Sequence, residues 1–340
     1  MLSTELRNRE DGLGVEEAQD MILVTGGAGF IGSHLCERLL ARGYEVLCLD
    51  NFNDFYDPAL KEENVRALLD HSRFTLVRGD ILDRPLLEDL FSRYSIQKVV
   101  HLAAIAGVRP SLVDPARYVR VDVEGTVNLL EMAKKHRVEQ FIFGSSSSVY
   151  GRRAEGPFSE DDPTDCQISP YATAKKAGEL FCATYHQLYG IPVTILRFFT
   201  VYGPRQRPDM AIRKFAELML KGKPIPLYGE GSSLRDYTYI DDCVDGIMAA
   251  VEKVFPFEIF NLGSGRTVPL KRVVELLSRY LEIEPQVELL PEQPGDVPVT
   301  YADISKARRL LHYEPKITLE EGIRRFVEWL KARYSEAKIS

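Results

Sequence analysis

The 340-residue chain is poor in the residues that build metal centres and disulfide frameworks. Its five cysteines (Cys36, Cys48, Cys166, Cys182 and Cys243) are odd in number, widely spaced and free of any C-x-x-C pair. That pattern indicates neither a zinc site nor a disulfide scaffold, and it points to reduced thiols in a cytoplasmic protein. The six histidines are as scattered, with none at metal-ligand spacing, so no metal is expected. Basic charge is also short. The 43 Lys and Arg against 50 Asp and Glu leave a net charge of −7, which argues against general nucleic-acid binding. No apolar run is long enough to span a membrane. Residues 1–20 lack the apolar stretch of a signal peptide. They carry Glu5, Glu10, Asp11, Glu16, Glu17 and Asp20 against Arg7 and Arg9, and read as a mobile extension. No internal repeat or low-complexity segment is present.

The chain does have the length and apolar content of a folded protein with a large core, in two domains or lobes. Strand-like runs at Ile22–Thr25, Glu45–Asp50, Phe74–Arg78, Lys98–Leu102, Gln140–Ser145 and Val193–Phe198 alternate with helical stretches. The helices are expected at Ile31–Ala41, Pro58–Leu69, Leu86–Tyr94, Pro115–His136 and Pro170–Tyr189. Alternation of this kind, with strands apolar on both faces, predicts an α/β fold with a Rossmann-type doubly wound parallel sheet. Ligands on such sheets sit beyond the carboxyl ends of the strands. After about residue 198, Pro and Gly punctuate shorter elements. This predicts a smaller, interleaved α/β substrate lobe over 199–236 and 263–335, with 237–262 returning to the nucleotide-binding domain of 21–198.

The run Gly26-Gly27-Ala28-Gly29-Phe30-Ile31-Gly32 follows the apolar segment Met21–Val24 directly. It fits G-x-G-x-x-G from Gly27 and G-x-x-G-x-x-G from Gly26. Glycines there let the backbone turn tightly and approach a pyrophosphate, which the helix N-terminus then receives. Such turns also occur for conformational reasons alone. Asp50 adds weight: it ends the next apolar run eighteen residues beyond Gly32, where an acid would hold the adenosine ribose hydroxyls. No Arg or Lys follows it before Lys61, so a 2′-phosphate would meet negative charge and NAD is favoured over NADP.

Tyr171 and Lys175 lie one helical turn apart and share a face. They follow Pro170, which can start a helix, and the serine run Ser145–Ser148 at a strand end. A serine hydroxyl, a phenol and an ammonium can together move a proton from an alcohol. Ionising a free phenol at neutral pH costs about 4 kcal/mol. An ammonium and an oxidised nicotinamide both reduce that cost, so the pair makes sense beside the cofactor that the glycine turn indicates independently.

Thr25–Gly32, Asp50, His101-Leu102-Ala103-Ala104, Ser145–Gly151 and the Tyr171/Lys175 pair resemble the extended short-chain dehydrogenase/reductase family, in its nucleotide-sugar epimerase/dehydratase branch. The resemblance runs from Met21 to about Tyr334. It implies that Tyr171 is the general base, that Lys175 binds the nicotinamide ribose, and that Ser146 bonds the reacting hydroxyl. It assigns NAD to Gly26, Gly29, Phe30, Ile31, Gly32, Asp50, Asn51, Asp80, Ile81, Leu102, Ala103 and Ala104 as well as to Tyr171 and Lys175. Dehydratases and decarboxylases of the branch carry acids before the V-Y-G of the serine strand, where this chain has Ser147 and Ser148. Without those acids the resemblance implies 4-epimerisation.

The segments Asp50–Pro58, Phe199–Ala211, Arg235–Asp242 and Pro294–Asp296 look most like UDP-glucuronate 4-epimerases. Thr200, Gln293 and Ala106 stand where UDP-glucose 4-epimerases usually have Asn, Arg and Lys. The expected substrate contacts are then Arg207, Thr200 and Ser147 at the uronate end, Ser146 and Ser148 nearby, and Arg235 and Arg109 toward the anionic UDP. His101 reads as a loop anchor and Tyr150 as a packing residue. Asp122 departs from the family's usual Asn. A homodimer through Pro115–His136 and Pro170–Tyr189 is also implied. The alternatives left open are a UDP-glucose or broad-specificity 4-epimerase, a one-way NAD(P)-dependent nucleotide-sugar reductase, and a catalytically silent binding protein.

Overall fold

A computed structural model describes residues 20–153, 155–291 and 297–336. The expected mobile extension, apart from Asp20, lies outside the described residues, as do Gln293 and the Pro294–Asp296 segment. The apolar runs form parallel strands β1 (Met21–Thr25), β2 (Glu45–Asp50), β3 (Phe74–Arg78), β4 (Ile96–His101), β5 (Gln140–Ser146) and β6 (Val193–Phe198). Their order in the sheet is β3-β2-β1-β4-β5-β6. Helices α1 (Phe30–Ala41), α2 (Pro58–Arg66) and α3 (Arg84–Arg93) connect the first four strands. Strands β1, β2, β5 and β6 are buried almost throughout, because helices cover both faces of the sheet. The chain reverses its winding direction between β1 and β4, which opens a crevice at their carboxyl ends.

Between β4 and β5 the chain is helical in more pieces than its pattern suggests. Val108–Val113 forms α4, masked in the sequence by Gly107 and Pro110. The single helix expected over Pro115–His136 is three segments: α5 (Pro115–Tyr118), a π-helical turn (Val119–Glu124) and α6 (Gly125–Lys135). The wide turn is held by polar bonds that periodicity does not report. The Asp122 carboxylate accepts the Ile105 N–H at 2.7 Å, and the Thr126 hydroxyl donates to the Asp122 carbonyl at 2.6 Å. Helix α7 (Pro170–Tyr189) has the expected bounds. Ser169 caps its N-terminus by accepting the Ala172 N–H, Pro170 occupies its first turn, and Gly190 ends it in the left-handed region.

Beyond β6, β7 (Thr200–Tyr202), α8 (Ala211–Leu220), β8 (Ile225–Tyr228), β9 (Leu234–Arg235) and β10 (Tyr237–Tyr239) lead into α9 (Ile240–Glu252) and β11 (Phe257–Leu262). β7 and β10 pair in parallel. β11 pairs with β6 and adds a seventh strand to the main sheet, while α9 packs beside α1. The chain then continues through α10 (Leu270–Leu281), α11 (Ser305–Leu311) and α12 (Leu319–Glu336). No described helix is long and apolar enough to cross a membrane.

Candidate active site

The crevice at the strand ends is a cavity of about 330 Å³, at the small end of ligand sites. Its dinucleotide end is built from the turn between β1 and α1. Gly26 has φ +69°, and a Cβ there would lie 2.8 Å from the Ala103 backbone nitrogen. A Cβ on Gly32 would lie 2.2 Å from the Gly26 carbonyl oxygen. Only glycine lets turn and helix approach this closely. Gly29 stands at the N-cap of α1 and no side chain caps the helix, so its first-turn N–H groups remain for an anion. A pyrophosphate fits this cradle.

Asp50 closes the same end. Its Oδ2 accepts the Ala28 N–H at 3.2 Å and its Oδ1 the Phe52 N–H at 2.8 Å. Lys61, eleven residues on, comes back on α2 to within 3.6 Å of Oδ1, with both side chains almost fully buried. The negative charge expected to face a 2′-phosphate is therefore partly offset, because α2 turns Lys61, the first cation after Asp50 in sequence, into its direct neighbour. Burial pushes the Lys61 ammonium below its ordinary range, and the Asp50 charge opposes that fall. Asn51 donates to Asp80 at 2.8 Å, joining the ends of β2 and β3, and Ile81 lines the wall beside them.

Tyr171, Lys175, Ser146, Ser147 and Ser148 line the same cavity, as do Leu102, Ala103 and Ala104, of which Ala103 lies against Gly26. Lys175 is 5% exposed, and its ammonium donates to the Gly144 carbonyl at 2.8 Å. The Ser146 hydroxyl donates to that of Ser148 at 3.1 Å and accepts the Ser148 N–H at 3.1 Å. Tyr171 stands edge-on to Tyr118, with ring centroids 6.1 Å apart. Thr200 and Arg207 reach the same cavity from the segment after β6. Arg207 is gripped by Asp209 through two 3.0 Å bonds and lies over the Phe55 ring.

Two expected contacts lie outside the cavity lining. Arg109 on α4 stacks on the Tyr228 ring at 4.3 Å, and Arg235 donates to the Leu234 and Pro298 carbonyls at 2.9 and 3.4 Å. Asn53, Phe55, Tyr56, Lys61, Val121 and Met210 line it without having been foreseen. For Asn53, Phe55 and Tyr56 the available signal was the D-N-F-N-D-F-Y-D-P stretch that contains them. His101 is fully buried, with threonine hydroxyls at both ring nitrogens, Thr25 at 2.8 Å and Thr126 at 3.0 Å. Burial lowers its pKa to about 3, so the ring is neutral. Tyr150 is buried as well; it donates to Asn261 at 2.6 Å and accepts from Arg197 at 3.0 Å.

The sequence model of the NAD dependent epimerase/dehydratase family matches residues 22–263, most of the chain and every element just described up to β11. The chain belongs to that family. Its relatives include the UDP-glucuronate 4-epimerase of Thermodesulfobacterium geofontis, 44% identical over 310 residues that cover 91% of this chain and 95% of that protein. UDP-glucuronate 4-epimerase 4 of Arabidopsis thaliana is 44% identical over 335 residues, covering 93% and 76% of the two chains. Among solved structures, UDP-glucuronic acid 4-epimerase from Bacillus cereus, in complex with UDP-glucuronic acid and NAD, superposes with a TM-score of 0.87 at 41% identity. That match covers 92% of this chain and all of the other. UDP-glucose 4-epimerase from Thermotoga maritima, with UDP-glucose, superposes with a TM-score of 0.85 at 35% identity, covering 92% and 99%.

Proposed function

We propose that the chain is an NAD-dependent UDP-sugar 4-epimerase that interconverts UDP-glucuronate and UDP-galacturonate. One observation carries the reading. A proton-moving set (Tyr171, Lys175, Ser146), a pyrophosphate cradle and an arginine share one cavity in which Ser147 and Ser148 stand in place of acids. Support for the uronate comes from the relatives that bear that activity in their names.

The cradle of Gly26, Gly29, Phe30, Ile31 and Gly32 would hold the pyrophosphate of NAD, and Asp50 and Asn51 its adenosine ribose. Asp80 and Ile81 would border the adenine, with Leu102, Ala103 and Ala104 along the middle of the cofactor. NAD, when bound there, would supply a reversible hydride acceptor for C4 and would not be consumed. Tyr171 takes the O4 proton as phenolate and gives it back after the sugar has turned over. Lys175, fixed by Gly144, keeps positive charge beside that phenolate, and Ser146 orients the oxygen at C4. Absent acids at 147 and 148 leave no group to expel water from the sugar.

A 4-keto uronate is a β-keto acid and loses CO₂ when its C5–carboxylate bond aligns with the carbonyl π system. We assign Ser147, Thr200 and Arg207 to holding the carboxylate near the ring plane, an effect of orientation. Asp209 already occupies the Arg207 fork, so the uronate shares that guanidinium or displaces Asp209. Arg235 and Arg109 are assigned to the UDP, with Ser148 beside the sugar. We take the sheet with α9 and β11 as the nucleotide-binding body, and 199–236 with 263–335 as the substrate lobe. Exposed Leu180, Phe181, Leu188 and Tyr189 on α7 and Val119 on the π turn support a homodimer through these helices. Reduced cysteines and a soluble nucleotide substrate support a cytoplasmic setting.

Incubation of the purified protein with UDP-glucuronate, without added NAD, should convert the gluco to the galacto anomeric proton signal in NMR. Conversion of UDP-glucose but not UDP-glucuronate would favour the neutral-hexose reading instead. Thr200→Val and Arg207→Ala should release more UDP-pentose per turnover than the parent; equal release would refute the assignment of the carboxylate.

A further inference from the structure

Asp122 sits in the π-helical turn and is 2% exposed. Its carboxylate is used on one side only. The Ile105 N–H donates to Oδ1 at 2.7 Å, which fixes the end of the His101–Ile105 segment whose residues 102–104 line the cavity. Oδ2 is buried and, among the described residues, has no hydrogen-bond partner. Native folds rarely leave a buried carboxylate oxygen so, and each such group calls for an explanation.

The groups facing it come from three elements. Helices α7 and α5 both pack on the π turn, which brings the Lys175 ammonium and the Tyr118 phenol to bear on the carboxylate. The neutral ring of His101 on β4 reaches it only through Thr126, whose hydroxyl joins that ring to the Asp122 carbonyl. Among the described residues, Lys175 is therefore the cation that feels whether Asp122 is charged. Burial raises the Asp122 pKa from 3.8 to about 6, with Lys175 and the Ile105 N–H opposing the rise. The group is thus neutral below about pH 6 and charged above it, inside the range where enzymes of neutral pH work.

We propose that Asp122 is a positioning residue for the reaction, one whose charge opposes the Lys175 ammonium and so sets the pH at which Tyr171 becomes a phenolate. Ionised, Asp122 offsets part of the positive charge that favours the phenolate, and a higher pH is needed to form it. Neutral, it leaves that charge whole. Its Oδ1 meanwhile anchors the cofactor-lining segment in either state. This inference rests on the epimerase reading for its kinetic form, but the tyrosine ionisation can be read without turnover.

The test compares holoenzyme carrying Asp122→Asn, Asp122→Ser and Asp122→Ala with the parent. Asn keeps an oxygen for the Ile105 N–H and removes the charge; Ala removes both. The acid limb of the kcat–pH profile should move down by roughly 0.5–1 unit in Asp122→Asn, with kcat about three- to tenfold higher on that limb. Asp122→Ala should also lose bound NAD, and Asp122→Asn should retain it. The near-ultraviolet phenolate band, taken as the difference from the same protein with Tyr171→Phe, should move by the same amount in Asp122→Asn and Asp122→Ser. If the band of a folded, NAD-loaded neutral variant titrates as the parent does, the proposal is overturned. A band that shifts in a protein that turns over no UDP-sugar would uphold the charge coupling and refute the epimerase reading.

Discussion

Helix α7, which carries Tyr171 and Lys175, is tied to the sheet by a buried ion pair. Arg197 on β6 grips Glu179 with two bonds of 2.9 Å, and both side chains are 2–3% exposed. Glu179 also accepts the Ser145 hydroxyl at 2.6 Å, and Arg197 also donates to Tyr150 at 3.0 Å and to the Glu160 carbonyl at 3.3 Å. Arg197→Met would leave the carboxylate with Ser145 and with Lys176, 3.7 Å away and 21% exposed. Removing one partner of a buried pair costs about 3–5 kcal/mol, because the other charge is stranded out of water. At about 2.1 cal/mol/K per residue, unfolding 340 residues carries about 0.7 kcal/mol/K, so the variant should lose about 4–7 °C in Tm. Thermal unfolding of NAD-loaded protein measures this directly. The double change Arg197→Met with Glu179→Leu removes both charges and should recover at least half of the loss, to within about 2 kcal/mol of the parent. Because Glu179 lies on the same helix as Tyr171, the single variant should also lose about 10–100-fold in kcat well below its Tm, the scale expected of a small misplacement. A Tm within about 1 °C of the parent (about 0.7 kcal/mol) would place the pair in the range of exposed bridges. That result, or a double variant less stable than the single one, would refute the reasoning.

Gly32→Ala drives a Cβ to 2.2 Å from the Gly26 carbonyl and 2.7 Å from the Gly27 Cα. Both are backbone atoms that cannot step aside, so the turn should open and the protein should purify without NAD, as read from the nucleotide released on denaturation. Retention of a full equivalent would show that the cradle is not the dinucleotide site. Leu180→Glu combined with Leu188→Glu places charge on exposed apolar positions of α7 that are 57% and 66% accessible. On the proposed homodimer, light scattering should report a dimer for the parent and a monomer for this variant, and an unchanged mass would move the interface elsewhere.

Much of the site was legible before any fold, because its signals are local. The glycine spacing at 26–32 encodes one tight turn, and Tyr171 and Lys175 share a face because any helix puts residues four apart together. Strands buried on both faces announce a parallel sheet by their continuous apolar runs. The loop residues Asn53, Phe55 and Tyr56 were less legible, since an irregular segment has no period to read.

What the tertiary structure alone decided are the meetings of residues far apart in the chain. α2 brings Lys61 onto Asp50, and with it a positive charge where the sequence showed only an acid. The crossing of α7 over β6 buries Arg197 against Glu179. The π turn sets Asp122 within reach of Ile105 on one side and strands its second oxygen on the other. Arg109 and Arg235, both expected toward the UDP, lie beside Tyr228 and Pro298 through packing that the sequence does not spell out. The sequence by itself determined which chemistry this chain carries, since residue types and short spacings are written directly in it. The charges that tune that chemistry depend on a few ångströms of approach between separate elements, and only the folded backbone sets those distances.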